Sequence, residues 1–255
     1  MRPPSSILIT GASSGIGAAL ARDYAGPGMR LVLGGRDEHR LAAVADSCRK
    51  AGALVSSAIV DVTDPVLTAN WVNAADSEQA LDLLIANAGI SAGTGGAGET
   101  QEQARRIYEV NVLGALNTVY PVLPAMRARR RGQIALIASL AGYRGFPGAP
   151  AYCGSKAALK VHGEALRGEL AADGIGVSVV CPGYVATAMT ARNRFPMPFL
   201  MPPERAARII RYGLARNRAR IAFPWPMAAA AWLLQALPPG WTDPMLRLAP
   251  RKQAD

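Results

Sequence analysis

The stretch Ser6-Ile7-Leu8-Ile9-Thr10-Gly11-Ala12-Ser13-Ser14-Gly15-Ile16-Gly17 decides the fold. A short apolar run with strand character passes at once into a glycine-rich turn and then into a helical pattern. Glycines at such a turn let the backbone bend sharply and approach a pyrophosphate, whose charge the helix N-terminus meets. A glycine-rich turn alone is also what an ordinary βα loop looks like. The weight here comes from context, a strand before it and a helix after it.

Working outward, the same strand-then-helix unit recurs along the chain. Strands are predicted over 6–10, 30–33, 54–60, 81–86, 133–138 and 176–181, with a weaker seventh over 219–223. Helices are predicted over 14–25, 37–50, 65–75, 101–130, 151–172 and 203–215. None of the strands has an internal proline, as buried parallel strands require. The alternation predicts an α/β fold of the Rossmann type: a doubly wound, mainly parallel seven-stranded sheet with helices on both faces. No internal repeat or low-complexity linker divides the chain, so 1–255 is expected to be one domain.

Two stretches break the rhythm. Residues 91–98 (SAGTGGAG) read as a mobile loop after the fourth strand. From Ala188 onward the alternation weakens among Pro196, Pro198, Pro202 and Pro203. A substrate lid is expected at about 184–217, followed by an uncharged segment over 223–241. In that segment prolines leave only 227–237 for a helix, roughly 16 Å long and half a bilayer core. A membrane span is not expected.

The chain has 255 residues, of which 50% are hydrophobic and 18% charged, enough to bury a large core. Its three cysteines, Cys48, Cys153 and Cys181, are far apart and odd in number. That argues against a disulfide scaffold and a zinc cluster, and for a reducing compartment. No signal-peptide core is evident before the first strand, and a cytoplasmic location is expected. The formal charge of +10 raises the question of an anionic partner.

The glycine spacing is GxxxGxG, and in this it resembles the short-chain dehydrogenase/reductase family. Further matches follow in order over about residues 5–190: Asp61-Val62, Asn87-Ala88-Gly89, Asn111 within VNVLG, Ser139, Tyr152-Cys153-Gly154-Ser155-Lys156, and Pro182-Gly183 with Val185 and Thr187. The resemblance implies that Gly11, Ser13, Ser14, Gly15, Ile16 and Gly17 cradle the cofactor phosphates. It implies that Asp61 and Val62 meet the adenine, and that Asn87, Ala88, Gly89, Pro182, Gly183, Val185 and Thr187 line the rest of the cofactor. It further implies that Tyr152 is the general acid/base, Ser139 holds the substrate oxygen, Lys156 holds the nicotinamide ribose and Asn111 anchors a water in the proton relay.

The residues themselves support parts of this. Tyr152 and Lys156 are four apart in a helical stretch and share a face. An ammonium there is expected to lower the phenol pKa toward the working range. Where an NAD enzyme usually places an acid at the end of the second strand, this chain has Gly35 followed by Arg36. A guanidinium can pair with a 2′-phosphate, so NADP(H) is favoured over NAD(H). The competing reading makes Arg36 a solvated surface charge and gives Asp37 the ribose hydroxyl, but Asp37 reads better as an N-cap or first-turn acid of the next helix. The three residues between Tyr152 and Lys156 favour carbonyl or alcohol chemistry over the longer gap typical of enoyl reductases of this fold. Epimerases of this fold usually differ in glycine spacing. Neither His39 nor His162 has a metal-type partner, and no metal is expected. Cys153 reads as a packing residue.

Tyr143, Phe146, Met189, Phe195, Met197 and Phe199 are candidates for an apolar wall around a moderately hydrophobic carbonyl or alcohol substrate. Packing of the lid onto the body would use the same residues. Much of the charge sits between Arg192 and Arg220, where eight arginines face the single acid Glu204. Arg205, Arg208 and Arg211 lie at helical spacing, and the segment with Trp225, Trp232 and Trp241 follows. Such a pattern fits peripheral contact of 203–241 with an anionic membrane, or a solvated face beside a subunit interface. Arg192 or Arg194 facing an anionic substrate is a third reading. A homodimer or homotetramer is implied by the resemblance. Nucleic acid is disfavoured, because no recognition motif accompanies the charge. A non-catalytic nucleotide sensor on this scaffold is the alternative that loss of Tyr152 or Lys156 would have favoured.

Overall fold

The computed structural model describes residues 3–91, 98–193 and 195–247. Its strands are β1 (Ser6–Thr10), β2 (Arg30–Gly35), β3 (Leu54–Ile59), β4 (Leu83–Ala86), β5 (Gly132–Ile137), β6 (Ile175–Pro182) and β7 (Arg220–Phe223). They form one sheet in the order β3-β2-β1-β4-β5-β6-β7, with every neighbouring pair parallel. The chain steps outward from β1 to β3, returns to β4 beside β1, and then steps outward the other way. Crossovers at that reversal run to opposite faces and leave a crevice at the carboxyl ends of β1 and β4.

The helices are α1 (Gly15–Tyr24), α2 (Glu38–Lys50), α3 (Pro65–Glu78), α4 (Gln101–Tyr108), α5 (Gly114–Val119), α6 (Leu123–Ala128), α7 (Pro150–Leu170), α8 (Ala188–Ala191), α9 (Pro203–Ala215), α10 (Trp225–Ala236) and α11 (Pro239–Arg247). Alternate residues of a strand face opposite sides. Ile7 and Ile9 join Leu20, Leu41, Val44, Ile210 and Leu214 in the layer under α1, α2 and α9. Leu8 and Leu84 join Val72, Val119, Leu159, Leu166 and Ala231 in the layer under α3, α5, α7 and α10.

Several boundaries depart from the sequence expectation. β2 continues through Gly34 and Gly35, and Gly34 packs where a Cβ would lie 2.5 Å from the Trp71 ring. β4 begins at Leu83, and the Leu81 N–H is taken instead by the Asp76 carboxylate at 2.8 Å. The helix expected over 101–130 is broken by a π turn at Glu109–Leu113 and a 3₁₀ turn at Tyr120–Val122. At the first, the Gly114 N–H bonds to Glu109 O; at the second, Pro121 supplies no N–H. α10 starts at Trp225, because Pro226 sits in the first turn where an N–H is not needed. α11 was not expected, and it carries Pro244 inside.

Layering also separates two features adjacent in sequence. α9 buries Ala206, Ala207 and Ile210 in the layer shared with α1, whereas α10 packs on the α7 layer. α9 and α10 thus flank the edge strand β7 from opposite layers of the sheet. Some of the charge is locally matched: Arg211 pairs with Asp23, Arg220 with Glu164, and Arg216 lies 3.4 Å over the Tyr212 ring. Arg194 and positions 92–97 of the glycine-rich loop lie outside the described residues. Among the described residues no helix is long and apolar enough to cross a membrane.

Candidate active site

A cavity of about 300 Å³ opens at the crevice. Its floor is the turn after β1. Gly11 has φ +64°, and a Cβ there would meet Ala88 Cα at 2.9 Å. At Gly17 a Cβ would fall 2.4 Å from Gly11 O, so only glycine lets α1 close on the turn. Asn87 and Thr10 tie this turn to β4. The Asn87 amide donates to Thr10 O at 2.9 Å, and the Asn87 and Ala88 N–H groups donate to Thr10 Oγ1. Ser14 is the N-cap of α1 yet makes no side-chain cap bond, and with Gly15 and Ile16 it lines the cavity, where a helix N-terminus suits an anionic ligand.

One end of the cavity is basic. Gly35, Arg36, Asp37 and Arg40 line it beside Ser13. Asp37 caps α2, as expected, accepting from Arg40 N at 2.9 Å and pairing with the Arg40 guanidinium at 2.8 Å. Those bonds, the backbone one foremost, hold its carboxyl below the usual range. Asp61 closes the same end, with Val62 beside it.

The other end carries Ser139, Tyr152 and Lys156. Ser139 follows β5 and accepts from Ala141 N at 3.1 Å, and its hydroxyl hydrogen-bonds the Tyr152 phenol. Lys156 is 4% exposed and donates to Ile137 O at 2.8 Å. Burial lowers its pKa to about 8. Its ammonium lies 5.9 Å from the Tyr152 ring centroid. The net direction at the phenol is set by burial, which pushes Tyr152 up, opposed by the Ser139 bond.

Asn111 sits in the π turn, fully buried, and does not line the cavity. Its Oδ1 accepts from Ile90 N at 2.7 Å, and its amide donates to Ile90 O and Ser155 Oγ, each at 3.0 Å. The side chain thus locks the turn after β4 to α7. Gly17 likewise acts from behind the turn. Every other site residue named from the sequence lines the cavity: Gly11, Ser13, Ser14, Gly15, Ile16, Arg36, Asp61, Val62, Asn87, Ala88, Gly89, Ser139, Tyr152, Lys156, Pro182, Gly183, Val185 and Thr187.

Residues not singled out for the site complete it: Val60, Ile90 and Ala138 just beyond strand ends, Val110, Ile137, Asp37, Arg40 and Thr190. The strand-end positions follow from the rule that such folds bind ligands at the carboxyl ends of their strands. Of the candidate substrate wall, Met189 lines the cavity. Tyr143 and Phe146 do not; they face a second cavity beneath α11. Gly142 packs against the Lys156 backbone, where a Cβ would come within 2.7 Å, and this carries Tyr143 past the site toward Cys181 and Arg220. Phe195 lies edge-on to Tyr184 at 6.2 Å, and Phe199 is 57% exposed. Cys153 is buried.

A glycine-rich nucleotide cradle facing a Ser, Tyr and Lys cluster across one cavity defines a dinucleotide-dependent oxidoreductase. The model of the short chain dehydrogenase family matches residues 5–196, and the chain belongs to that family. It is 39% identical over 246 residues to an uncharacterized oxidoreductase of Myxococcus xanthus, covering 96% of each chain. The fold superposes with a TM-score of 0.80 on a short-chain dehydrogenase from Sphingobium yanoikuyae in complex with NADPH, at 29% identity and 98% coverage of both chains. It superposes with a TM-score of 0.81 on a short-chain dehydrogenase/reductase from Burkholderia phymatum in complex with NAD, at 26% identity, covering 98% of this chain and 96% of the other. The protein is an oxidoreductase of the CH–OH/C=O type that uses a nicotinamide cofactor.

Proposed function

We propose that the protein interconverts a moderately hydrophobic ketone or aldehyde and its alcohol with NADP(H) in preference to NAD(H). The observation that carries this reading is the Tyr152 phenol, hydrogen-bonded to Ser139 and one helical turn from buried Lys156, in the cavity whose far end holds Arg36. The cradle fits a dinucleotide: Gly11 and Gly17 allow close backbone approach, and the N-terminus of α1, uncapped by the Ser14 side chain, suits a pyrophosphate. Arg36 and Arg40, with Gly35 in place of an acid, suit a 2′-phosphate.

Bound there, the nicotinamide supplies the hydride. Tyr152 gives its proton to the carbonyl oxygen during reduction and takes it back during oxidation. Ser139 holds that oxygen, and its bond to the phenol offsets part of the burial that keeps the proton on Tyr152. Lys156 holds the ribose side, and Asn111 fixes the turn after β4 against α7. Met189 and Ile90 make the wall apolar. Of the lid expected at about 184–217, α9 is packed against α1 as part of the body. Tyr152→Phe should cut turnover by about 10²–10⁴-fold while leaving NADPH binding within about twofold. Unchanged turnover would overturn the mechanism, and inactivity of the wild type on a broad ketone and alcohol panel would favour the nucleotide-sensing alternative.

Two surface readings accompany this. Tyr108 of α4, Leu113 and Tyr120 in the turns on either side of α5, and Val161 of α7 are exposed, which supports a homo-oligomer through that face. α10 and α11 expose Trp225, Trp232, Leu233 and Trp241, and this supports peripheral contact with an anionic membrane as the second reading.

A further inference from the structure

Asp61 stands between two arginines from different parts of the chain. Its Oδ1 is held by Thr63, through the backbone N–H at 3.0 Å and the hydroxyl at 2.8 Å. Its Oδ2 accepts from Arg106 of α4 at 3.2 Å, while Arg36 stands back at 3.8 Å. Asp61 is the one ion-pair partner of Arg36 among the described residues. The other acids nearby are committed elsewhere, Asp37 to Arg40 and the α2 N-terminus, and Glu109 to Arg106 at 3.5 Å.

We infer that Arg106 is a further specificity-determining residue, which takes the close hydrogen bond to Asp61 so that Arg36, its more distant partner, can turn to the 2′-phosphate of NADP(H). The inference rests on the NADP(H) reading above and adds the residue that sustains it. Without Arg106, Asp61 Oδ2 loses its hydrogen-bond donor. Arg36, on a flexible stem little more than bond distance away, then closes on the carboxylate. That pairing competes with the 2′-phosphate. The same carboxylate, no longer neutralised by Arg106, also repels the phosphate. NADH presents a hydroxyl at this position and feels neither effect strongly. The state of Asp61 agrees: burial raises its pKa, but the Thr63 bonds and the Arg106 and Arg36 charges outweigh it and leave the carboxyl below the usual range. Arg106 and Asp61 are each more than a third exposed, so solvent limits the size of the effect.

Fluorescence titration of NADPH and NADH into the wild type, Arg36→Gln, Arg106→Gln and the double variant Arg106→Gln/Asp61→Asn tests this. Arg106→Gln should weaken NADPH about five- to tenfold and NADH less than about twofold, a difference on the order of 1 kcal/mol. The double variant should recover the NADPH-to-NADH ratio, because its amide neither captures Arg36 nor repels phosphate. Equal weakening of both nucleotides by Arg106→Gln, or no change in either, would overturn the inference while leaving the cofactor preference standing. A wild type without NADPH preference, or an Arg36→Gln variant with an unchanged ratio, would overturn the cofactor reading and this inference with it.

Discussion

Lys156 is 4% exposed, its ammonium has the Ile137 carbonyl as partner, and burial lowers its pKa from an ordinary 10.5 to about 8. A lysine lowered in this way penalises the fold when charged. The unfolded chain holds the extra proton between the two values, so the penalty is complete below about pH 8. It fades as pH rises toward 10.5. The gap corresponds to on the order of 3 kcal/mol at about 1.4 kcal/mol per pKa unit. Lys156→Met removes the charge, keeps the length, and leaves the Ile137 carbonyl unpartnered at a cost of about 1–2 kcal/mol at any pH. The nucleotide-free variant should therefore be more stable than wild type by about 1–2 kcal/mol near pH 7, or ~2–8 °C in Tm, and less stable near pH 10.5. Denaturant unfolding of both proteins across that range gives the difference curve, in which other titrating groups common to both cancel. A difference that is flat with pH, or a variant less stable throughout, would refute the claim that Lys156 is held at the expense of stability. Turnover should be lost at every pH.

Three further outcomes follow from the geometry. Gly17→Ala places a Cβ 2.4 Å from Gly11 O and should abolish nucleotide binding, with a destabilisation of about 1–3 kcal/mol; retained NADPH-induced thermal stabilisation would contradict the packing. Leu113→Arg on the exposed α4–α7 face should shift the mass measured by light scattering from oligomer toward monomer, and an unaltered oligomer would exclude that face as the interface. Trp232→Ser with Trp241→Ser should reduce co-sedimentation with anionic vesicles at unchanged activity; a wild type that does not sediment with vesicles removes the membrane reading.

What was legible in the sequence is what neighbouring residues or strand ends decide. The turn Thr10–Gly17 specifies its own shape, the carboxyl ends of β1, β4, β5 and β6 deliver their residues to one crevice, and Tyr152 and Lys156 share a face by helical spacing alone. What was not legible depends on partners far along the chain. Tyr143 leaves the site because Gly142 packs on the backbone of Lys156. Burial of Tyr152, which pushes its phenol up, is set by the elements packed around it and is not visible in the Tyr152–Lys156 spacing. The C-terminal prolines read as breaks, yet α11 docks through Arg144, which reaches Asp243 at 2.6 Å and Thr242 at 3.2 Å. The proposed cofactor preference draws on both kinds of signal. Gly35-Arg36 can be read from two adjacent letters, but whether Arg36 is free to act depends on Asp61, and Asp61 depends on a guanidinium 45 residues further on. A basic residue at the end of the second strand is therefore an incomplete signal for NADP(H). On the proposed reading, what matters as well is how strongly the nearest acid is held, and here Arg106 is the closer of its two guanidinium partners.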